Sequence, residues 1–450
     1  MKRLFKTMLL TAGITAACAF TALADGWTME NGRWTYIQNG SKVTNEWRIS
    51  GDGGYYYLGS DGYMVTNAFI DYERYADADG KMVTDGWRQI DGKWYYFDSN
   101  GKLITNHSRQ INGLWYYFDY DGSMMTGWVE DGNSLYYCDP ESGGRMVTST
   151  WRYIEPPEYL VYDDDQSGPY TTDGKYWFYF LSSGKAVRAE TDGSYKEMVI
   201  NNNRYAFDYA GRMMTGWVQV DSDASPAISG YRYYNDTESI GTYGAAHQGW
   251  LSAYPPEGIS SLGNVEWYYF DSKGQPYYGT DVSGDDNDET LVAKFKRLEK
   301  DGKTETYLFN EYGNPVYGLR KVRRTNGDVT SMYFGNRQQC CLQKGDRSIT
   351  DAEGNTYTFY FDGSGYGYTG VKNGKLYYMG LLQKAIDTSY AYYTVKGETY
   401  LVTKSGTIRK NLNSNKEEAE YKSDSSGKWM DGAYAEVSEL VVPVFEISYN

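Results

Sequence analysis

Histidine is nearly absent from this chain of 450 residues, which contains only His107 and His247. From residue 282 onward there is none. That half therefore holds neither a catalytic triad with a histidine base nor a histidine-rich metal site. The acidic stretches 163–165 and 281–289 lack the twelve-residue spacing of an EF-hand calcium loop. We therefore expect no metal ion and no cofactor.

Cysteine is also scarce, and three of the four cysteines lie outside the N-terminal segment: Cys138, Cys340 and Cys341. An odd number with two adjacent members does not indicate a disulfide framework. Residues 1–24 combine a basic start, an apolar stretch and an Ala-x-Ala end, which predicts a secretory signal peptide. No other apolar run approaches the length of a membrane span. We expect a secreted chain that does not cross a membrane.

Basic side chains are outnumbered, with 44 Lys and Arg against 59 Asp and Glu and a formal net charge of −15. Residues 25–450 alone carry 41 basic and 59 acidic side chains, a net charge of −18. Such a balance argues against nucleic acid and anionic membranes as partners and mildly favours cationic ligands.

The residue in excess is tyrosine, with 49 copies beside 51 glycines and 13 tryptophans. One phrase recurs about every 20 residues: Gly-Trp, a tight turn, an aromatic triplet and Asp-x-x-Gly. Its clearest copy, residues 84–101, has the Gly-Trp tryptophan at Trp87 and a triplet that begins at Trp94. Strand-like residues on both sides of Asp91-Gly92 predict a two-stranded hairpin.

A repeat of this length cannot bury a core alone, so the sequence predicts an all-β solenoid of stacked hairpins. The phrase is clear over residues 25–280 and looser over 281–450, where the Gly-Trp pair is lost. We therefore expect a diverged second half, which could be a second binding module. Pro-Pro pairs in the insertions 155–158 and 254–257 predict loops outside the strands.

The phrase resembles the choline-binding and cell-wall-binding repeats of Gram-positive surface proteins and autolysins. It also resembles the glucan-binding repeats of glucosyltransferases and the receptor-binding repeats of large clostridial toxins. The resemblance implies that choline lies between successive hairpins in a cage of three aromatic rings. Two rings come from one hairpin and the third from the next. Trp27 and Trp34 with a tyrosine at 55–57 would form one cage, and Trp87 and Trp94 with Trp115 or Tyr116 another.

The ligand-binding residues that this resemblance implies are Trp27, Trp34, Trp47, Tyr55, Tyr56, Trp87, Trp94, Trp115, Tyr116, Trp128, Tyr136, Trp217, Trp250 and Trp267. The sequence departs from the pattern at three positions. Ser108 replaces a Gly-Trp tryptophan, Leu135 replaces a first triplet aromatic, and Tyr231 stands far from Trp217. We therefore expect two or three competent cages rather than one for each hairpin.

The expected function is that of a secreted, non-catalytic protein retained at the bacterial cell wall or surface. Its partner would be choline-substituted teichoic acid or another cell-wall polymer, and its role that of an adhesin or scaffold. An alternative is a lectin for glucan or host glycans, because aromatic faces also stack on sugar rings. A divergent cell-wall hydrolase is less favoured, since no non-repetitive stretch is long enough for a catalytic domain.

Overall fold

A computed structural model describes residues 25–161, 169, 171–259, 264–279, 281–283, 289–292, 294–324, 326–351, 353–412 and 420–445. The predicted signal peptide and most of the two acidic stretches lie outside these ranges. Packing divides the chain into two units, which are described separately: residues 25–152 with 178–186, and residues 153–177 with 187–445. The sequence boundary at 280 concerns the repeat pattern and stays a prediction.

The first unit is a series of antiparallel hairpins, each made of two short strands. Their bounds are Gly26–Glu30 with Arg33–Gln38, Glu46–Ile49 with Tyr55–Leu58, Ala68–Ile70 with Arg74–Ala76, Gly86–Ile90 with Lys93–Phe97, His107–Ile111 with Leu114–Phe118, and Gly127–Asp131 with Ser134–Asp139. Two-residue strands at Ser41–Lys42 and Arg145–Met146 extend the first and last of these, and a 3₁₀ helix spans Pro140–Ser142. Strands Thr150–Ile154 and Tyr176–Phe180 lie where the two units divide.

The hairpin turn follows from its two residues. Asp91 and Gly92 have φ angles of 49° and 82°, and two consecutive positive values define the tight turn that suits the twist of paired strands. The register places Trp87 opposite Tyr96. Side chains then alternate between the two faces of the hairpin. The predicted two-stranded hairpin is therefore confirmed.

An Asp-x-x-Gly segment forms the turn that ends several of the hairpins, as at residues 98–101. The Asp98 carboxylate accepts hydrogen bonds from the backbone N–H groups of Asn100 and Lys102, at 2.9 and 2.8 Å. Gly101 has a φ of 74°, and a Cβ at this position would lie 2.6 Å from the sulfur of Met82. A larger residue here would therefore clash with the preceding repeat as well as strain the backbone.

Backbone hydrogen bonds join successive hairpins. The Met124 N–H, which follows the strand Leu114–Phe118, donates to the carbonyl of Trp94 in the hairpin before it, at 2.7 Å. The Leu103 N–H donates in the same way to Glu73, at 2.8 Å. The first unit is therefore built of stacked β-hairpins, as the repeat pattern predicts.

The second unit continues with hairpins and then forms larger sheets. Its hairpins are Lys196–Ile200 with Asn203–Phe207, Gly216–Gln219 with Tyr231–Tyr234, Gly249–Ala253 with Glu266–Phe270, and Lys296–Lys300 with Lys303–Tyr307. Three larger sheets follow, each given in spatial order. The first has four strands, Asp281–Ser283, Glu289–Val292, Leu319–Arg323 and Val329–Tyr333, and the second has five, Gly345–Thr350, Thr356–Phe361, Leu381–Leu382, Lys375–Tyr378 and Gly370–Lys372. The third has three strands, Glu398–Thr403, Tyr390–Val395 and Val437–Ser438. Short 3₁₀ helices span Glu158–Leu160, Ala227–Gly230 and Glu238–Ile240.

These larger sheets lie in the part of the chain where the repeat phrase is looser. Strand Glu289–Val292 pairs in parallel with Leu319–Arg323, a contact that no hairpin turn can create. The packing also changes, because the cluster that contains Leu308, Val322 and Met332 is mostly aliphatic. Hairpin phrases therefore persist in this part, but the sheets join strands that are distant in sequence.

The three cysteines of the described residues, Cys138, Cys340 and Cys341, are free and buried. Burial raises the pKa of Cys340 to about 12. A thiol with so high a pKa is a poor nucleophile near neutral pH.

An ion pair between successive repeats of the first unit gives a prediction of pH dependence. Asp121 accepts hydrogen bonds from Ser123 and, at 2.9 Å, from the Lys93 ammonium. Together these partners lower the pKa of Asp121 to about 2. Because this lies below the unfolded value of about 4, the stabilisation is complete above pH 4 and is lost as the pH falls towards 2.

Asp121→Asn should therefore reduce the free energy of unfolding above pH 4, by less than about 1 kcal/mol because both side chains are partly exposed. Urea unfolding at pH 2, 3, 4 and 6 measures this difference. A gap between wild type and variant that is as large at pH 2 as at pH 6 would contradict the assignment.

Candidate functional site

Trp87 lies between its own hairpin and the next one. The centroid of its ring is 5.3 Å from that of Tyr96, its cross-strand partner, and 4.9 Å from that of Tyr116 in the following hairpin. Phe118 of the same following strand lies 5.7 Å away and is fully buried. Trp87 thus contacts aromatic rings of both its own hairpin and the next one.

A further ring beside Trp87 comes from Trp94, the first residue of the aromatic triplet in the same hairpin. Trp94 stands almost perpendicular to Trp87, at 85° and a centroid distance of 6.3 Å, and its side chain is 43% exposed. Trp87, Trp94 and Tyr116 are here named the Trp87 cage; Trp94 is exposed, and the other two rings are half-buried. A cation within about 6 Å of such ring centroids is attracted by their quadrupoles.

Two sets of rings in the second unit repeat this geometry. In the Trp217 cage (Trp217, Tyr231 and Tyr268), the outer ring stands 6.3 Å from Trp217 at 83° and the ring of the next hairpin 4.9 Å away. In the Trp250 cage (Trp250, Trp267 and Tyr307), the same distances are 6.2 Å at 84° and 4.7 Å.

Tyr231 reaches Trp217 across an insertion. The segment between the two strands of this hairpin contains the 3₁₀ helix Ala227–Gly230, and Tyr231 then pairs with Gln219. Although Tyr231 is far from Trp217 in the sequence, it occupies the same cross-strand position that Trp94 holds relative to Trp87. The Trp217 indole N–H donates to the carbonyl of Tyr254 at 2.8 Å, so the Pro-Pro insertion borders this cage.

The predicted Trp27 cage is incomplete. Trp27 lies 5.4 Å from Tyr36 and 5.5 Å from Tyr56 of the next hairpin. Among the described residues no ring pairs with Trp34. Tyr56 donates its hydroxyl to Asp52 at 3.0 Å, and burial, followed by this bond, raises its pKa to about 12. The structure therefore brings together two of the three predicted walls.

The hairpin of Trp47 holds fewer rings around its tryptophan. Trp47 lies 5.2 Å from Tyr57, its cross-strand partner. Tyr55 is 46% exposed and pairs with no ring in the part of the chain that the structure describes. The predicted residues Trp47 and Tyr55 are thus not assembled into a cage of three.

Trp115 and Tyr136 occupy positions without a complete cage. Trp115 is 39% exposed, and Ser108 stands where its hairpin would need the inner tryptophan. Tyr136 packs 5.9 Å from Tyr117 and belongs to a core cluster. Tyr136 is therefore a packing residue in this arrangement.

Trp128 has its inner contacts, and the outer position of its own hairpin is occupied by leucine rather than by an aromatic residue. Its ring lies 5.1 Å from Tyr137 and 4.8 Å from Phe178. The first triplet position is Leu135, which is fully buried.

Sequence reasoning missed Tyr268 and Tyr307 as cage walls. The signal was a register position, because the ring that comes from the next hairpin stands two residues before a buried phenylalanine at or just after the end of that hairpin's second strand. Tyr116 occupies this position before Phe118, Tyr268 before Phe270 and Tyr307 before Phe309. Tyr268 and Tyr307 are almost fully buried, at 0% and 1% exposed, and this burial raises the pKa of both to about 12.

A cavity of about 200 Å³ in the second unit is lined by aromatic and polar side chains. Tyr153 and Trp177 lie 5.3 Å apart, and both are more than a third exposed. The Tyr153 hydroxyl donates to Asp173 at 2.8 Å. Thr171 and Lys175 complete a polar rim beside the rings.

Within the described ranges, no group of three His, Cys, Asp or Glu side chains is arranged to hold a metal ion. No helix in the same ranges is long and apolar enough to cross a membrane.

Family comparisons match the repeats directly. Two models described as choline-binding repeats match residues 41–82 and 105–151. A model described as a putative cell wall binding repeat matches residues 85–103 and 266–275. The second of these ranges includes Trp267, and the first includes Trp87 and Trp94.

Solved structures give weaker matches. Choline binding protein F from Streptococcus pneumoniae is 19% identical, with 72% of this chain and 98% of that chain covered and a TM-score of 0.39. The modular autolysin LytC from Streptococcus pneumoniae, in complex with a synthetic peptidoglycan ligand, is 19% identical, with 66% and 54% covered and a TM-score of 0.37. The chain thus spans about half the length of that autolysin.

An alternansucrase in complex with isomaltononaose is 16% identical, with 73% and 19% covered and a TM-score of 0.21. These TM-scores are too low for the similarity to indicate a shared function. No curated protein gives a significant match. The repeats within residues 41–151 and at 266–275 belong to the choline-binding and cell-wall-binding repeat families.

Proposed function

We propose that this chain binds choline-bearing cell-wall polymers, such as choline-substituted teichoic acid, through its aromatic cages. The observation that supports this most directly is the Trp87 cage. Two of its walls lie in a range that matches a cell-wall-binding repeat, and the third, Tyr116, lies in a range that matches a choline-binding repeat.

The energetics suit a polymer rather than a free small molecule. Each well-placed ring contributes about 0.5–2 kcal/mol to holding a cation, so three rings give about −4 kcal/mol, which corresponds to millimolar affinity. One such site is weak. Several sites on one chain raise the overall affinity for a polymer that carries many cholines.

The proposed role is that of a secreted adhesin or scaffold without catalytic activity. Cell-wall-binding repeats associate a protein with the cell wall or surface. Repeats of this kind are binding modules, which is consistent with a protein that binds rather than catalyses.

Choline should change the tryptophan fluorescence of the full chain with a midpoint in the millimolar range, because the cages place indole rings around the bound cation. The protein should also bind a resin that carries quaternary amines and elute with free choline. Absence of both effects would contradict the proposal.

Glycan binding is the second candidate function, and the cavity beside Tyr153 and Trp177 favours it. Aromatic faces next to Asp173 and Thr171 offer the ring stacking and hydrogen bonds that a sugar requires. Retention on dextran or host glycans, without a response to choline, would support this reading. Release of reducing ends or peptidoglycan fragments would indicate a hydrolase instead.

A further inference from the structure

One of the three cages already contains a cation that belongs to the chain. The Nζ atom of Lys300 lies 3.8 Å from the ring centroid of Trp267 and 4.9 Å from that of Trp250. Both distances are within the range of a cation–π interaction. The ammonium therefore stands over the two perpendicular rings that an external cation would use.

The hairpin that carries Lys300 is fixed against this cage. The Trp250 indole N–H donates to the carbonyl of Glu299 at 2.9 Å, directly before Lys300 in the chain. Tyr307, on the returning strand of the same hairpin, supplies the third wall at 4.7 Å from Trp250. Lys300 is thus held at the end of a strand whose position the cage itself determines.

We propose that Lys300 is the internal cation of the Trp250 cage and keeps this cage closed to external quaternary ammonium groups. A tethered ammonium acts at a high effective concentration, whereas a cage of this kind binds free choline only at millimolar levels. The proposal rests on the proposed function. It makes the Trp250 cage a packing element and leaves ligand binding to the cages without a lysine.

Lys300→Met tests this in the full chain, because methionine is unbranched, matches lysine out to Cε and removes the ammonium group. Equilibrium dialysis with labelled choline should show one more bound choline per chain in the variant than in wild type. Lys303→Met is the matched control. Lys303 is the cross-strand partner of Lys300 and is exposed, so this variant loses the same charge from the same hairpin without opening the cage.

A second measurement does not depend on choline. Caesium ions quench the fluorescence of accessible tryptophans, so Lys300→Met should increase quenching by caesium relative to both wild type and Lys303→Met. Lys300→Gln serves as a second neutral variant if Lys300→Met does not fold, and circular dichroism checks the fold of each.

The outcomes separate the two proposals. If wild type binds choline and neither neutral variant gains a site, Lys300 does not close the cage. If wild type binds no choline, the proposed function fails, and equal caesium quenching in the Lys300 and Lys303 variants would then overturn the present inference as well. Greater quenching in the Lys300 variants alone would support it independently.

Discussion

Replacing Trp94 with alanine should weaken one choline site about tenfold while its hairpin stays folded. Trp94 is 43% exposed and forms the outer wall of the Trp87 cage. Loss of one ring removes about 0.5–2 kcal/mol of cation–π attraction, and 1.4 kcal/mol corresponds to a factor of ten in affinity. Equilibrium dialysis should show a binding curve in which one site shifts to higher choline concentration.

Trp115→Ala is the matched control for this variant. Trp115 and Trp94 hold the same register position, opposite Gln110 and Gln89, and are exposed to a similar extent. Only the hairpin of Trp115 has serine in place of the inner tryptophan. The control should leave choline binding unchanged, and an equal loss in both variants would contradict the cage. Trp87→Ala is less direct, because Trp87 also packs between two hairpins.

Asp208→Ala should cause the largest loss of stability among these variants, about 3–5 kcal/mol, because it breaks the buried ion pair with Arg212. The Arg212 side chain is 2% exposed, and its Nε donates to Asp208 at 2.6 Å. The same guanidinium lies 5.2 Å from the centroid of Tyr176. Urea unfolding followed by near-ultraviolet circular dichroism measures the change.

Two further variants test whether the loss of stability comes from the buried charge. Asp98→Ala alters the same position of another Asp-x-x-Gly turn, where the carboxylate accepts backbone N–H groups and holds no buried arginine. It should destabilise the protein by only about 1 kcal/mol. Asp208→Ala with Arg212→Met should recover part of the stability, since no buried charge remains. A double variant as unstable as Asp208→Ala would show that charge burial is not the cause.

The hairpins were predictable from the sequence because their signals are local. Asp91-Gly92 specifies the turn, and Asp98 with Gly101 specifies the end of the repeat through bonds within four residues. The paired strands need no information from distant parts of the chain. The larger sheets after residue 279 differ, because the parallel pairing of Glu289–Val292 with Leu319–Arg323 has no turn to mark it.

The cages were only half predictable for a similar reason. The two rings of one hairpin follow from the phrase, but the third depends on how the next hairpin stacks. The phrase alone did not decide between Trp115 and Tyr116, and the structure places Tyr116 beside Trp87. Lys300 carries no sequence signal at all, since only the fold brings its ammonium to Trp267.

The third wall of each cage has a consequence for folding, because it belongs to the neighbouring hairpin. A ligand that touches both hairpins binds only when both are folded and stacked. Choline at 100 times its dissociation constant would then add about 2.7 kcal/mol to the stability of that junction. The number of sites is limited by the number of junctions between hairpins, and the terminal hairpin of an array has no junction beyond it. If the chain binds a cell-wall polymer as proposed, the polymer would stabilise the junctions between repeats as well as provide the surface to which they attach.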